Sequence, residues 1–234
     1  MLKTVLYTAA HSGFDLQRIP LGGAATIAAY LTDAWRERAP FSIRLLGPSL
    51  LGPRAPREKD LGRCSTRRYA RFCFDFERAV TSEILHYDPR RAGVLSNDVS
   101  EGPDFRRLAE KGFDLFTVYH VDVVDYVARL YLRGWVRPET LAGVRGFLDA
   151  SPLRRFLLGL WKLVFGKQRD SVKYSRGLIV PSDGLKRTLL RCYPDIPPDR
   201  IHVLPWGSRR ESFDEAAAAS AAASPGRSCA LSRE

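Results

Sequence analysis

The sequence predicts a doubly wound α/β domain built on a mostly parallel sheet, reaching from residue 1 to residue 210. Two observations carry this. Short β-branched or apolar runs alternate along most of the chain with segments of helical periodicity, and that alternation produces βαβ units. A hydrophobic fraction of 45% over 234 residues also suffices for a core without disulfides or metal.

The elements follow in order. Leu2–Tyr7 reads as a strand, and Gly22–Arg38 as a helix with Ala24, Ile27, Ala28, Leu31 and Trp35 on one face. Phe41–Leu46 is a second strand. Tyr69–Phe74, rich in aromatics, reads as a third, leading into a helix that ends near Tyr87. Ala92–Leu95 is a short fourth strand. Pro103–Lys111 is helical, with proline at a tolerated first-turn position. Phe113–Tyr119 is a strong strand, followed by a helix burying Val123, Val124, Val127, Leu130 and Tyr131. Two more helices fill Pro138–Gly166. Gly177–Val180 is a strand, Asp183–Tyr193 a helix capped by Ser182, and Ile201–Leu204 the closing strand. From Ala216 to Ala223 seven of eight residues are alanine, so residues 211–234 are expected to form a frayed helix or a disordered tail.

Composition narrows the function. Cys64, Cys73, Cys192 and Cys229 form no C-x-x-C pair, which points away from zinc and toward a reducing, cytoplasmic setting. No apolar run reaches the roughly 18–20 residues of a membrane span, and the N-terminus lacks a signal-peptide pattern. The net charge of +11 resides in two windows, residues 54–71 at +5 and 154–176 at +6. Such a field suits nucleic acid, an anionic bilayer or a phosphorylated ligand, or is simply a solvated surface. Nucleic acid is the weakest of these, since no recognition motif accompanies the charge. Around Trp161, the stripe Leu153, Phe156, Leu157, Leu160, Val164 and Phe165 is flanked by Arg154, Arg155 and Lys162. It describes a helix lying in a membrane interface, peripheral at the inner face, or a core-packed helix with a basic outer face; the core-packed helix is the expectation.

Candidate site residues cluster after strands, where open α/β sheets bind ligands. Gly22-Gly23 follows the first strand and opens the first helix, placing free N–H groups where an anion can approach; a plain tight turn is the alternative. His11 lies in the same loop. His120 stands just past Phe113–Tyr119, where it can donate to a sugar hydroxyl, stabilise developing charge, or merely cap the next helix. Asn97 and Glu101 belong to a polar loop after the fourth strand, and Asp122 is either a ligand or a helix N-terminal carboxylate. His86 and His202 read as structural. No H-E-x-x-H, G-x-S-x-G or Walker loop is present.

Three stretches resemble a known family. Ile19-Pro20-Leu21-Gly22-Gly23-Ala24, then Lys173 through Lys186 with its Val180-Pro181-Ser182 turn, then Ile201-His202-Val203-Leu204-Pro205-Trp206-Gly207, look like the N-terminal half of a GT-B glycosyltransferase of family 4. The resemblance covers about residues 2–207. It implies a single Rossmann-like domain that binds the acceptor, in a retaining, metal-independent transfer from a nucleotide-sugar donor, with no other cofactor. It also implies that Gly22-Gly23 faces the donor diphosphate and that His120 assists at the reacting sugar. His11, Asn97, Glu101 and Asp122 are the acceptor-side candidates. The family's usual H-x-H or H-D here reads Tyr119-His120-Val121-Asp122, a shift of one position.

The family's donor-binding half carries two glutamates eight positions apart, and this chain has no such pair. The expectation is therefore half an enzyme, inactive alone, its C-terminal half absent and supplied by a partner chain. The alternative is a non-catalytic module that binds an acceptor or a membrane. A lipid-linked sugar at an anionic surface would suit the charge.

Overall fold

The computed structural model describes residues 3–11, 22–55, 65–122 and 159–207, together with 135, 137, 139, 140 and 143. The chain divides into two units, 1–204 and 205–234, and of the second only residues 205–207 are described. The expected tail at 211–234 and the helix after Tyr119 lie outside the described residues, as does most of Pro138–Gly166.

The first unit holds β1 (Thr4–Thr8), α1 (Gly22–Arg38), β2 (Ser42–Leu46), a 3-10 segment (Pro48–Arg54), α2 (Thr66–Ile84), β3 (Ala92–Ser96) and α3 (Phe105–Glu110). It continues with β4 (Asp114–Val118), α4 (Gly159–Tyr174), β5 (Gly177–Val180), α5 (Asp183–Cys192) and β6 (Ile201–Val203). Six strands form one sheet in the order β2-β1-β3-β4-β5-β6. Every neighbouring pair is parallel, so the sheet is wholly rather than mostly parallel. Strand order reverses between β1 and β3, which opens a crevice at their carboxyl ends.

Both faces are covered, as a parallel sheet requires. Leu6, Val94 and Leu115 project to one face, where Phe72, Phe76, Val80 and Ile84 of α2 and Phe105 and Leu108 of α3 bury them. Tyr7, Leu95, Ile43 and Leu45 project to the other and meet Ala28 and Trp35 of α1. Each fully buried large side chain contributes roughly 1.5–3 kcal/mol. Under α4 and α5, Val172 and Leu189 pack with Leu178, Val180 and Ile201. Gly177 pairs with Phe116 across β4 and β5, and its missing side chain leaves room for the ring, which lies 2.9 Å from where a Cβ would stand.

One expected strand is corrected. Tyr69–Phe74 is the second turn onward of α2, not a strand. Its aromatics fit a pleated surface, but buried Phe72, Cys73, Phe76, Val80 and Ile84 continue the pattern at helical spacing well beyond a strand's length. Ser65 caps this helix, its hydroxyl accepting from the Arg68 N–H at 3.4 Å. Asp104, rather than Pro103, sets the start of α3 by accepting from the Arg107 N–H at 3.0 Å. Gly112, at φ 87°, then turns the chain into β4.

Candidate active site

The sequence-chosen residues assemble at the carboxyl edge of the central strands. Trp35, near the end of α1, packs edge-on against Phe41 just before β2, with ring centroids 6.4 Å apart. The C-terminus of α1 is therefore at the amino edge, and Gly22-Gly23 at its N-terminus lies toward the carboxyl edge. The loop joining β1 to these glycines is outside the described residues. Gly23 is exposed, with nothing within 4 Å of a Cβ built on it.

His11 follows β1 and meets Glu101 from the loop after β3, Nε2 to Oε1 at 3.0 Å. Glu101 is 5% exposed and His11 24%. Glu101 Oε1 also accepts from the Tyr69 hydroxyl, and the Tyr69 ring stacks beside the His11 ring. A carboxylate accepts, so in this contact the His11 Nε2 is the donor. Three separate elements thus fix one imidazole.

His120 follows β4 and is held from the β3 end, its Nε2 3.2 Å from Asn97 Oδ1. Asn97 is fully buried, and the Tyr7 hydroxyl donates to the same oxygen at 2.7 Å. The Asn97 N–H donates to the Thr8 carbonyl at 2.8 Å, tying the loop after β3 to the end of β1. Asn97 and Glu101, expected as acceptor ligands, are therefore turned inward onto the two histidines. Asp122 is also buried and accepts from Gln168 Nε2 of α4 at 3.0 Å. Tyr7, Tyr69, Gln168 and Asp98 were not singled out from sequence. Only the place of Tyr7 near the end of β1, and of Asp98 beside Asn97, could have flagged any of them.

Burial pushes the His120 pKa below its ordinary value, and the Asp98 charge and a hydrogen bond with the Asn97 backbone offset this only in part. The folded state therefore binds this proton less readily than the unfolded chain. The stability carried by neutral His120 is complete above about pH 6.5 and is lost as pH falls through the lower native value. Urea midpoints at pH 7.5 and 5.0 should fall further for the wild-type chain than for His120→Gln. Equal falls would contradict this.

The loop carrying Asn97 and Glu101 is itself pinned. A Cβ on Gly102 would lie 2.5 Å and 2.8 Å from the Phe105 ring and 3.1 Å from the Asp98 carbonyl. Gly102→Ala should cost about 1–3 kcal/mol by overpacking, visible as a lower denaturant midpoint; an unchanged midpoint would refute the tight fit.

The basic surface is less free than its composition suggests. Lys167 is buried, bonded to the Gly102 and Pro103 carbonyls and to Glu77. Arg176 pairs with both oxygens of Asp114, at 3.0 and 2.9 Å. Arg154 and Arg155 lie outside the described residues, and Trp161 and Lys162 fall within α4 with side chains not described. Among the described residues, no helix is long and apolar enough to cross a membrane.

No family model matches the chain, and no curated protein matches it. Among solved structures it is similar to Phytolacca americana UGT2, solved in complex with UDP-2-fluoro-glucose and pterostilbene. That likeness has a TM-score of 0.50 at 10% sequence identity and covers 91% of this chain and 55% of the other. The chain spans about half the length of the structure it matches, and the likeness is one of fold.

Proposed function

We propose that this chain is the acceptor-side domain of a glycosyltransferase that moves a sugar from a nucleotide-sugar donor to a sugar or lipid-linked acceptor. The observation that carries the reading is the pair of imidazoles, His11 and His120, each held by a buried partner at the carboxyl edge of the β1/β3 reversal. The fold likeness and the family-4 motifs at Gly22-Gly23, 173–186 and 201–207 support it. In this scheme the α1 N-terminus faces the donor diphosphate, whose charge its N–H groups and dipole favour. His120 meets the reacting sugar. A second domain, within one polypeptide or from a partner chain, grips the nucleotide. Retention of configuration and independence from metal rest on the resemblance alone, as do a cytoplasmic location and contact with an anionic membrane face.

The His11–Glu101 pair favours a second version of the same transfer. An imidazole oriented by a carboxylate can remove the proton of an acceptor hydroxyl as its oxygen bonds to the anomeric carbon and the nucleoside diphosphate departs. Such base-assisted attack inverts the anomeric configuration. The experiment is to incubate the full-length gene product with UDP- and GDP-linked hexoses and candidate acceptors, following free nucleoside diphosphate and the product anomer by NMR. Release with retention supports the first version, and release with inversion the second. Binding of sugar ligands without release would leave a binding module, and neither binding nor release with any donor would refute both versions.

A further inference from the structure

Asp98 stands just past β3 at the carboxyl edge, half-buried between the enclosed residues Asn97 and Val99. Its main chain is fixed, since its carbonyl accepts from the Ser96 hydroxyl at 2.7 Å. Its side chain has far fewer bonds than it can hold. Oδ2 accepts one long bond, from Asn97 Nδ2 at 3.3 Å, while Oδ1 accepts none among the described residues and reaches solvent. Two carboxylate oxygens can take about four hydrogen bonds. No Lys or Arg among the described residues pairs with Asp98, although the chain carries 37 of them against 26 Asp and Glu. The Asp98 charge acts on both the His120 ring and the Tyr7 hydroxyl, so the carboxylate lies beside the imidazole read above as meeting the reacting sugar.

We propose that Asp98 binds the acceptor, its Oδ1 accepting a hydrogen bond from one hydroxyl of a neutral sugar. A carboxylate only accepts, so its ligand must bring a donor. It repels phosphate, which keeps the donor diphosphate and any acceptor phosphate away from this point. A sugar hydroxyl supplies the donor without the opposing charge, and the bond it makes to an ionised oxygen is among the stronger kind. The inference rests on the proposed transfer and narrows its acceptor: the part that reaches Asp98 is an uncharged polyol.

The test titrates the full chain with the methyl glycosides of glucose, galactose and mannose and with their monodeoxy analogues, reading Kd by ligand-detected NMR. At least one hexoside is expected to bind the wild type, and Asp98→Asn should weaken it about tenfold or more, the worth of a hydrogen bond to a charged group. One monodeoxy analogue, lacking the hydroxyl that Asp98 holds, should bind wild type and variant equally. Asp98→Ala serves if Asp98→Asn does not fold. If Asp98 only steadies the loop, the variant weakens every analogue by the same factor. That result, an unchanged Kd, or no hexoside bound by the wild type overturns the assignment. Nucleoside diphosphate release beside an unchanged Kd leaves the transfer standing without Asp98. Asp98-dependent hexoside binding without any release counts against the transfer and leaves the assignment standing.

Discussion

Replacing His120 with alanine is expected to reduce nucleoside diphosphate release by about 10²–10⁴-fold, the usual contribution of one positioned acid–base group. The fold should survive the change. The ring is only partly buried, and Asn97 keeps its bonds to Tyr7 and to the Thr8 carbonyl when the imidazole is removed. His11→Ala separates the two versions of the reaction. If the Glu101-held imidazole takes the acceptor proton, its loss should match that of His120; if it only orients the acceptor, the loss should fall mainly on KM. A His120→Ala enzyme that turns over at the wild-type rate would remove His120 from the chemistry.

The second large effect concerns stability. Lys167 lies on α4 with its ammonium against the Gly102 and Pro103 carbonyls, at 2.6 and 2.8 Å, and against the Glu77 carboxylate of α2. It also sits 5.6 Å from the centroid of the Phe105 ring. Burial lowers its pKa, and the Glu77 charge opposes that shift. Lys167→Ala leaves a carboxylate and two carbonyls without their donor, at a cost of about 3–5 kcal/mol. Glu77 remains 22% exposed, so the lower end of that range is the expectation. Lys167→Met combined with Glu77→Leu removes both charges and should recover most of the loss. Urea denaturation of the wild type and the two variants reads this directly. A single variant as stable as the wild type would show that the pair does not hold α4 to the site loop. Because that loop carries Asn97 and Glu101, the single variant should also disturb both histidines.

Much of this molecule is legible in the sequence because its central strands are largely buried on both faces and end in polar loops. Runs such as Ala92–Leu95 and Phe113–Tyr119 declare themselves by apolar continuity, and the residues just past them mark the carboxyl edge of the sheet. The error at Tyr69–Phe74 arose because an aromatic run has the same composition in a strand and on a helix; only burial of Phe76, Val80 and Ile84 further along decides between them. What sequence could not supply was direction. Asn97 and Glu101 were placed at the correct edge, yet their inward turn depends on Tyr7 and Tyr69, which stand 90 and 32 positions away from them respectively. Charge misled in the same way, since Lys167 counts toward a basic window but is sealed inside.

The most direct test uses the chain's four histidines as reporters. His86 follows α2 and His202 lies exposed in β6, so both serve as internal controls beside His11 and His120. The protein, with its ring carbons labelled, is titrated with UDP-glucose and GDP-mannose and with simple hexosides. Glycosyl transfer at the carboxyl edge predicts that His11 and His120 resonances move with at least one of these ligands while His86 and His202 stay still. Movement of the controls alone, or of no histidine with any ligand, would contradict it.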